Sequence, residues 1–258
     1  MASERVALQF PLVDRYMGLR LGVEMAGIRP GQLHVVESPR RLAREMSYGY
    51  VHALWWVWLH DERTAVSVVP GAGEEVRRIA AAVTERDEFF DLGLAERLKV
   101  PADRALRGAG RPVSDRVLSD VFFVCNAKLL RPHRHGDCRR LTDESIAPAE
   151  GLRLPTHCFP DGVAYGVVAD GRIVSVAFAH RAGVMEDSVA DVGVETAPGY
   201  RRRGYAQTAV SALVEHFTRS GGEARYGCSR GNVASMATAR SVGFVPYGVS
   251  LILAAPSA

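Results

Sequence analysis

The segment APGYRRRGYAQTAV at residues 197–210 sets three consecutive arginines and a glycine ahead of an apolar-periodic stretch. Arginines in that position fit a nucleic-acid patch, an ordinary solvated turn, or the rim of a pocket for phosphate. The first amides of a helix have no intrahelical partner, and together with the helix dipole they form a ready anion site. Gly204 lets a ligand approach the backbone closely, because no Cβ stands in the way. One charge at a helix start contributes only about 0.3–1 kcal/mol, whereas micromolar affinity takes about 8 kcal/mol. An anion site here therefore needs several amides, the guanidiniums, and a ligand that offers more than a phosphate. Neither GxxxxGK[ST] nor GxGxxG occurs, so a Walker loop and a dinucleotide fingerprint are both excluded.

The elements that must position this segment are legible around it. SVADVGVET, just upstream, reads as a strand with Val192 and Val194 on one face and Asp191, Gly193 and Glu195 on the other. The segment GVVADGRIVSVAFAH before it reads as two strands joined by a type I′ turn at Asp170-Gly171, where both residues need positive φ. Downstream, Ala206, Ala209, Val210, Leu213, Val214 and Phe217 form one helical stripe, closed by Gly221-Gly222. ARYGCS follows as a short strand, and NVASMATARSVG as a helix capped by Asn232 and ended by Gly243. FVPYGVSLILA is the last strand, with Pro246 marking a bulge or an edge. The order β-hairpin, β, α, β, α, β makes a mixed α/β region.

The first 125 residues carry elements of their own. YVHALWWVWLH and TAVSVVPG read as two strands around a polar turn, and residues 74–83 as a helix with acidic residues in its first turn. The tryptophans at 55, 56 and 58 are expected to serve packing rather than a ligand wall. The polar segment 130–151 reads as a solvated linker and places a junction at about residue 125. Its His133, His135 and Cys138 lack a fourth ligand at zinc-finger spacing, so no metal is expected.

The 258 residues, 47% hydrophobic and 24% charged with a formal charge of +3, are ordinary for a soluble globular chain. The charge permits an anionic ligand without demanding a nucleic-acid surface. The four cysteines, Cys125, Cys138, Cys158 and Cys228, show no CxxC pairing and point to free thiols in a reducing compartment. With no signal-peptide core and no apolar run of about 18 residues, the expectation is a cytoplasmic protein with no membrane partner.

VETAPGYRRRGYA resembles the coenzyme A motif of the GNAT acyltransferases: Gln or Arg, two residues, Gly, one residue, then Gly or Ala. Arg201, Gly204 and Ala206 fill the three fixed places, and Pro198 stands where that family often has proline. GNVASMATARSVGFVPYG is similar to the family's following segment, with Asn232 starting a helix and Gly243-Phe244 ending it. CRRLTDES and GVVADGRIVSVA resemble its opening strand and central hairpin. The resemblance covers residues 126–258 as a catalytic domain and leaves 1–125 as a smaller N-terminal α/β domain, either a degenerate acyltransferase-like unit or an acceptor-selecting one. It implies a mixed, splayed central β-sheet flanked by helices.

It also implies acetyl-CoA or a related acyl-CoA as co-substrate; the acceptor stays open among a small amine, which leads, an aminoglycoside-like compound, an amino acid and a protein amine. The diphosphate would rest on the amides of Arg202, Arg203, Gly204, Tyr205 and Ala206, with Arg201 adding charge. The pantetheine arm would pair with Val194, Glu195 and Thr196, which requires that strand to splay from ARYGCS, and Asn232 would contact the arm, cap its helix, or do both. A lysine-like amine is unprotonated in only about one part in a thousand near neutrality, so a base is needed; Glu195 or Asp191 would supply it, directly or through water. The family's tyrosine acid falls at Ala239 here, so Ser235, Tyr247 or a water would protonate the leaving thiolate. Cys228, with no histidine near it in sequence, reads as a small buried hydrophobe rather than an acylated nucleophile. The leading expectation is an N-acetyltransferase, possible as a homodimer; the competing one is a non-catalytic acyl-CoA sensor. Nucleic-acid binding through Arg201–Arg203 is not expected, because no basic stripe extends the cluster.

Overall fold

The computed structural model describes residues 9–45, 49–142, 147–153 and 162–257. Cys158 and the end of CRRLTDES lie outside them. One ten-stranded mixed sheet runs through the whole chain. Its strands are β1 (Leu33–Glu37), β2 (Tyr50–Leu59), β3 (Thr64–Val68), β4 (Arg116–Cys125), β5 (Asp137–Arg140), β6 (Ala164–Ala169), β7 (Arg172–Ala179), β8 (Val189–Thr196), β9 (Glu223–Ser229) and β10 (Val245–Pro256). They lie in the order β1-β3-β2-β10-β4-β9-β8-β7-β6-β5. The helices are α1 (Pro11–Leu21), α2 (Gly73–Ala80), α3 (Leu92–Gly108), α4 (Tyr205–Thr218) and α5 (Val233–Val242).

Side-chain alternation along the strands sorts the helices into two layers. Trp55, Val57, Phe122, Val124 and Ile252 pack with α1 on one face. Their sequence neighbours Trp56, Leu251 and Leu253 pack under α2 and α3 on the other. Phe123, Val192 and Tyr226 share that second face with α4. Central strands covered on both faces are apolar almost throughout, and β2 and β10 are buried along nearly their whole length.

The two long strands also knit the chain ends together. β10 pairs antiparallel with β2 from Tyr50 to Leu59 and with β4 from Arg116 to Val124. The C-terminal strand thus completes the sheet of the N-terminal region, and the sheet is continuous across residue 125. Pro246 sits at a register shift between β10 and β4, so it marks a bulge in a central strand and not an edge.

The turn at Asp170-Gly171 has both residues at positive φ, 51° and 71°, as a type I′ hairpin requires. The stripe on α4 is buried at Ala209, Val210, Leu213, Val214 and Phe217. The segment read as a solvated linker is largely exposed over residues 131–140, but it is tethered and carries β5: the His133 amide donates to Ser211 Oγ at 3.0 Å, and the His135 amide donates to Thr208 Oγ1 at 3.0 Å. These bonds strap residues 133–135 along α4, because the buried hydroxyls of that helix face the passing backbone. Among the described residues no helix is long and apolar enough to cross a membrane.

Candidate functional site

The sheet opens between β8 and β9. These parallel strands pair from Val189↔Glu223 to Val192↔Tyr226, and there the ladder stops although both strands continue. The next residues are glycines on both strands, Gly193 and Gly227. A Cβ at Gly193 would lie 2.4 Å from the Phe178 ring and 2.8 Å from His180 Nε2, so only glycine fits as this strand passes the two rings. Gly193→Ala is expected to destabilise the fold by about 1–3 kcal/mol, the usual cost of overpacking, as read by urea denaturation.

Beyond the break β8 runs into the loop that begins α4. A short 3-10 turn covers Pro198–Tyr200, and Arg201 follows in extended backbone. Arg202 and Gly204 both take positive φ, 60° and 81°, which is uncommon for arginine. Left-handed positions alternating with ordinary ones turn successive amides toward one point and form an anion-holding concavity. None of the amides from Arg202 to Gln207 donates to an acceptor among the described residues, and Gly204 caps α4 without a side chain. Arg201, Arg202 and Arg203 are exposed. Arg201 Nε donates to Thr196 O at 3.2 Å, and Arg203 lies over the Tyr200 ring.

A cavity of about 730 Å³ lies against this loop, lined by Val194, Glu195, Thr196, Arg201, Arg202, Gly204, Tyr205, Ala206, Asn232 and Ser235 among others. Ten of the residues singled out from the sequence therefore converge on one chamber; Arg203 sits beside it on the loop. Asn232 caps α5, its Oδ1 accepting from the Ser235 amide at 3.1 Å.

A second cavity, about 360 Å³, sits on the other side of the break. Its walls include Trp55, Leu118, Phe178 and Ile252, with Asp120, Asp191 and Arg225 as charged members. The two cavities share Val194, Tyr226, Asn232 and Ser235. Tyr226, 1% exposed, is hydrogen-bonded to Ser235 through their hydroxyls at 2.8 Å. Burial pushes the phenol up to about 12, which keeps it protonated near neutrality.

Asp191 and Glu195 share a strand face by alternation but enter different surroundings. Asp191 is 2% exposed. It accepts from Arg225 Nη1 at 2.7 Å, Arg20 Nη1 at 3.4 Å and the Tyr16 hydroxyl at 3.0 Å. Burial works against its charge, yet Arg225 foremost and the other partners outweigh that and hold its carboxyl below the usual range. Glu195 lines the larger cavity, on the loop side of the break. Ala239 is buried, and no phenol stands at that place on α5. Tyr247 lies elsewhere, its hydroxyl donating to Asp14 Oδ1 at 2.6 Å.

Two residues of this site, Tyr226 and Asp120, carry no assignment from the sequence, and a third, Trp55, is read there as packing. In the sequence Tyr226 reads only as part of a short strand, although the tyrosine-glycine step marks where pairing ends. Trp55 lines the smaller cavity as well as packing, so the expectation of pure packing holds for Trp56 but not for its neighbour. Asp120 gave no local signal, since it reaches the site by non-local pairing of β4 with β9. Among the described residues no group of three or more His, Cys, Asp or Glu could hold a metal ion.

A family model described as GNAT acetyltransferase matches residues 155–248. No curated protein matches the chain. Solved structures that it resembles include a GNAT-family protein from Novosphingobium aromaticivorans, with 21% identity, 56% of this chain and 67% of that one covered, and a TM-score of 0.46. A Drosophila protein shows 16% identity over 65% of this chain and 59% of its own, TM-score 0.46. A GNAT-family acetyltransferase from Colwellia psychrerythraea shows 17% identity over 54% and 58%, TM-score 0.42. The chain thus spans less than two thirds of the length of the latter two.

Proposed function

We propose, on the premise that residues 155–248 form a GNAT acetyltransferase domain, that this protein moves the acetyl group of acetyl-CoA onto the nitrogen of a small amine. The observation that carries this reading is the meeting of two cavities at one break in the sheet. The larger borders an amide-lined loop with three arginines, and the smaller is walled by aromatic and aliphatic side chains.

The amides of Arg202 to Ala206 receive the diphosphate, helped by the charge of Arg201, Arg202 and Arg203. The free edge of β8 at Val194, Glu195 and Thr196 takes the pantetheine arm as an added strand, because its ladder partner has left it. Asn232 keeps its cap and turns its remaining amide hydrogens to the arm. An amide of this strand edge stabilises the charge that develops on the thioester oxygen. The thioester then lies at the rim shared by the two cavities, within reach of Tyr226 and Ser235.

Direct attack needs a neutral amine and a protonated leaving thiol. Tyr226, linked to Ser235, donates to the departing sulfur. Asp191 is assigned to holding the rim: a carboxylate bound by two guanidiniums gives up its charge only with difficulty. Glu195 faces the coenzyme side, where it reaches the amine only through water.

Release of free coenzyme A thiol from acetyl-CoA across a panel of primary amines tests the reading. Turnover is expected, with Tyr226→Phe lowering kcat by about 100-fold at unchanged acetyl-CoA affinity. Tight acetyl-CoA binding without turnover on any amine would favour the sensor.

A further inference from the structure

We propose that Asp120 is the carboxylate that binds the acceptor's ammonium group and takes its proton, and that the acceptor is a compact primary amine with an apolar body. This rests on the acyl-transfer reading above. Asp120 lies on β4, outside the stretch matched by the family model, and stands opposite Ser229 on β9 and Ser250 on β10.

Two carboxylates line the smaller cavity, and they differ in their commitments. Asp191 is held by Arg225, Arg20 and Tyr16. The backbone of Asp120 is paired in the sheet, but its carboxylate makes no hydrogen bond or ion pair to a described residue. The guanidiniums beside the cavity bond to Asp191 and, through Arg20, to Glu45; Arg225 reaches Asp120 only as a nearby charge, so Asp120 faces a chamber walled by Trp55, Leu118, Phe178 and Ile252 without a cation hydrogen-bonded to it among the described residues. A carboxylate partly withdrawn from water among apolar walls attracts a cation. Here the missing partner is an ammonium, with the apolar walls receiving the body of the molecule. The cavity, about 360 Å³, lies at the small end of ligand pockets and suits a compact amine.

The surroundings also suit Asp120 to proton transfer. Burial raises its carboxyl above the ordinary range, opposed by the charge of Arg225 and reinforced by that of Asp191, which moves a base toward the working pH. Other ionisable groups face the cavity from each neighbouring element. From α1 comes Arg20, and from β2 comes His52, which burial draws down to about 4 and leaves neutral. His180 follows β7, and β9 adds Tyr226 and Cys228, whose pKa values burial raises. Among these, Asp120 is the carboxylate open to change its charge when an amine arrives.

The ammonium gives one proton to the Asp120 carboxylate, and the nitrogen lone pair forms the C–N bond at the thioester carbonyl. The C–S bond breaks with its electron pair on sulfur. The second nitrogen proton reaches the sulfur through the Tyr226 hydroxyl, which is left unchanged, and Asp120 returns its proton to water.

The test uses the full chain, acetyl-CoA, and 2-phenylethylamine, cyclohexylamine and glycine as acceptors, with rates followed against pH. Asp120→Asn is expected to lower kcat/KM for the two apolar amines by about 100-fold or more, to remove the acidic limb of the profile, and to leave acetyl-CoA affinity intact. Asp120→Glu should restore that limb and part of the rate, and glycine should be the poorest acceptor. Carbon-13 NMR of the wild-type carboxyls reads the contact independently of any variant's folding: the Asp120 resonance should shift when 2-phenylethylamine is added. Wild-type turnover that survives Asp120→Asn with its pH profile unchanged, or an Asp120 resonance indifferent to the amine, overturns this inference alone. Absence of wild-type turnover on every amine overturns the acyl-transfer reading along with it.

Discussion

Gly204→Glu is expected to abolish acetyl-CoA binding while leaving the protein folded. The amides of Arg202 to Gln207 are unspent, and two left-handed residues turn them toward one point. A carboxylate introduced at position 204 would occupy that point and compete there with the diphosphate. The loss should reach about 100-fold or more in affinity, or about 2.7 kcal/mol. The fold tolerates the change, because a Cβ at Gly204 meets nothing nearer than Gln207 Oε1 at 3.5 Å and His135 Cδ2 at 3.6 Å. The remaining cost is that of a left-handed φ of 81°, about 1–2 kcal/mol for a residue with a side chain, against a domain stability of about 5–15 kcal/mol. Gly204→Ala carries the same backbone cost without the charge and should keep most of the affinity. Calorimetric titration of both variants with acetyl-CoA decides the matter; wild-type affinity in Gly204→Glu would take this loop out of the donor site.

What could be read from the sequence, and what could not, divides along the line between local and non-local physics. Asp170-Gly171, the stripe on α4 and the Asn232 cap depend on contacts within a few residues, and each has a pattern in the chain. The break between β8 and β9 was legible through the family resemblance, and Gly193 and Gly227 give it a physical cause. The N-terminal region was harder because its strands are covered on both faces, so β2 shows no alternation to read. The helix α1 carried little signal, since it buries Arg20 and Tyr16 along with Val13 and Met17. A buried arginine looks like a surface residue until its carboxylates are known, and these come from Glu45 and Asp191. The smaller cavity fails to show for the same reason. Trp55, Asp120 and Arg225 are far apart in sequence and meet only after β10 has paired with both β2 and β4.

That buried ionic cluster leads to the largest stability effect we expect. Asp191 joins Arg20 of α1 to Arg225 of β9, and Arg20 continues to Glu45 at 2.8 Å. Removing one member of a buried pair leaves its partner in low dielectric without the matching charge, at a cost of about 3–5 kcal/mol. Asp191→Ala should therefore lose about that much in urea unfolding at neutral pH, with Asp191→Asn losing less because its amide oxygen still accepts hydrogen bonds. The pH dependence identifies the cause. Asp191 and Glu45 both have folded pKa values below the ordinary range. Such groups stabilise the fold above the unfolded carboxylate values of about 4, and that contribution is lost as pH falls through the folded values. His52 acts at higher pH. Its folded pKa of about 4 lies below its ordinary 6.5, so the unfolded chain binds the proton first and stability declines between those two values. Wild type should thus weaken in two stages on acidification, first through His52 and then through the carboxylates. Asp191→Ala should keep the first stage and lose much of the second, so that its deficit against wild type narrows below about pH 4. A deficit constant down to the acid limit would mean that Asp191 stabilises the fold by packing alone and not by its charge.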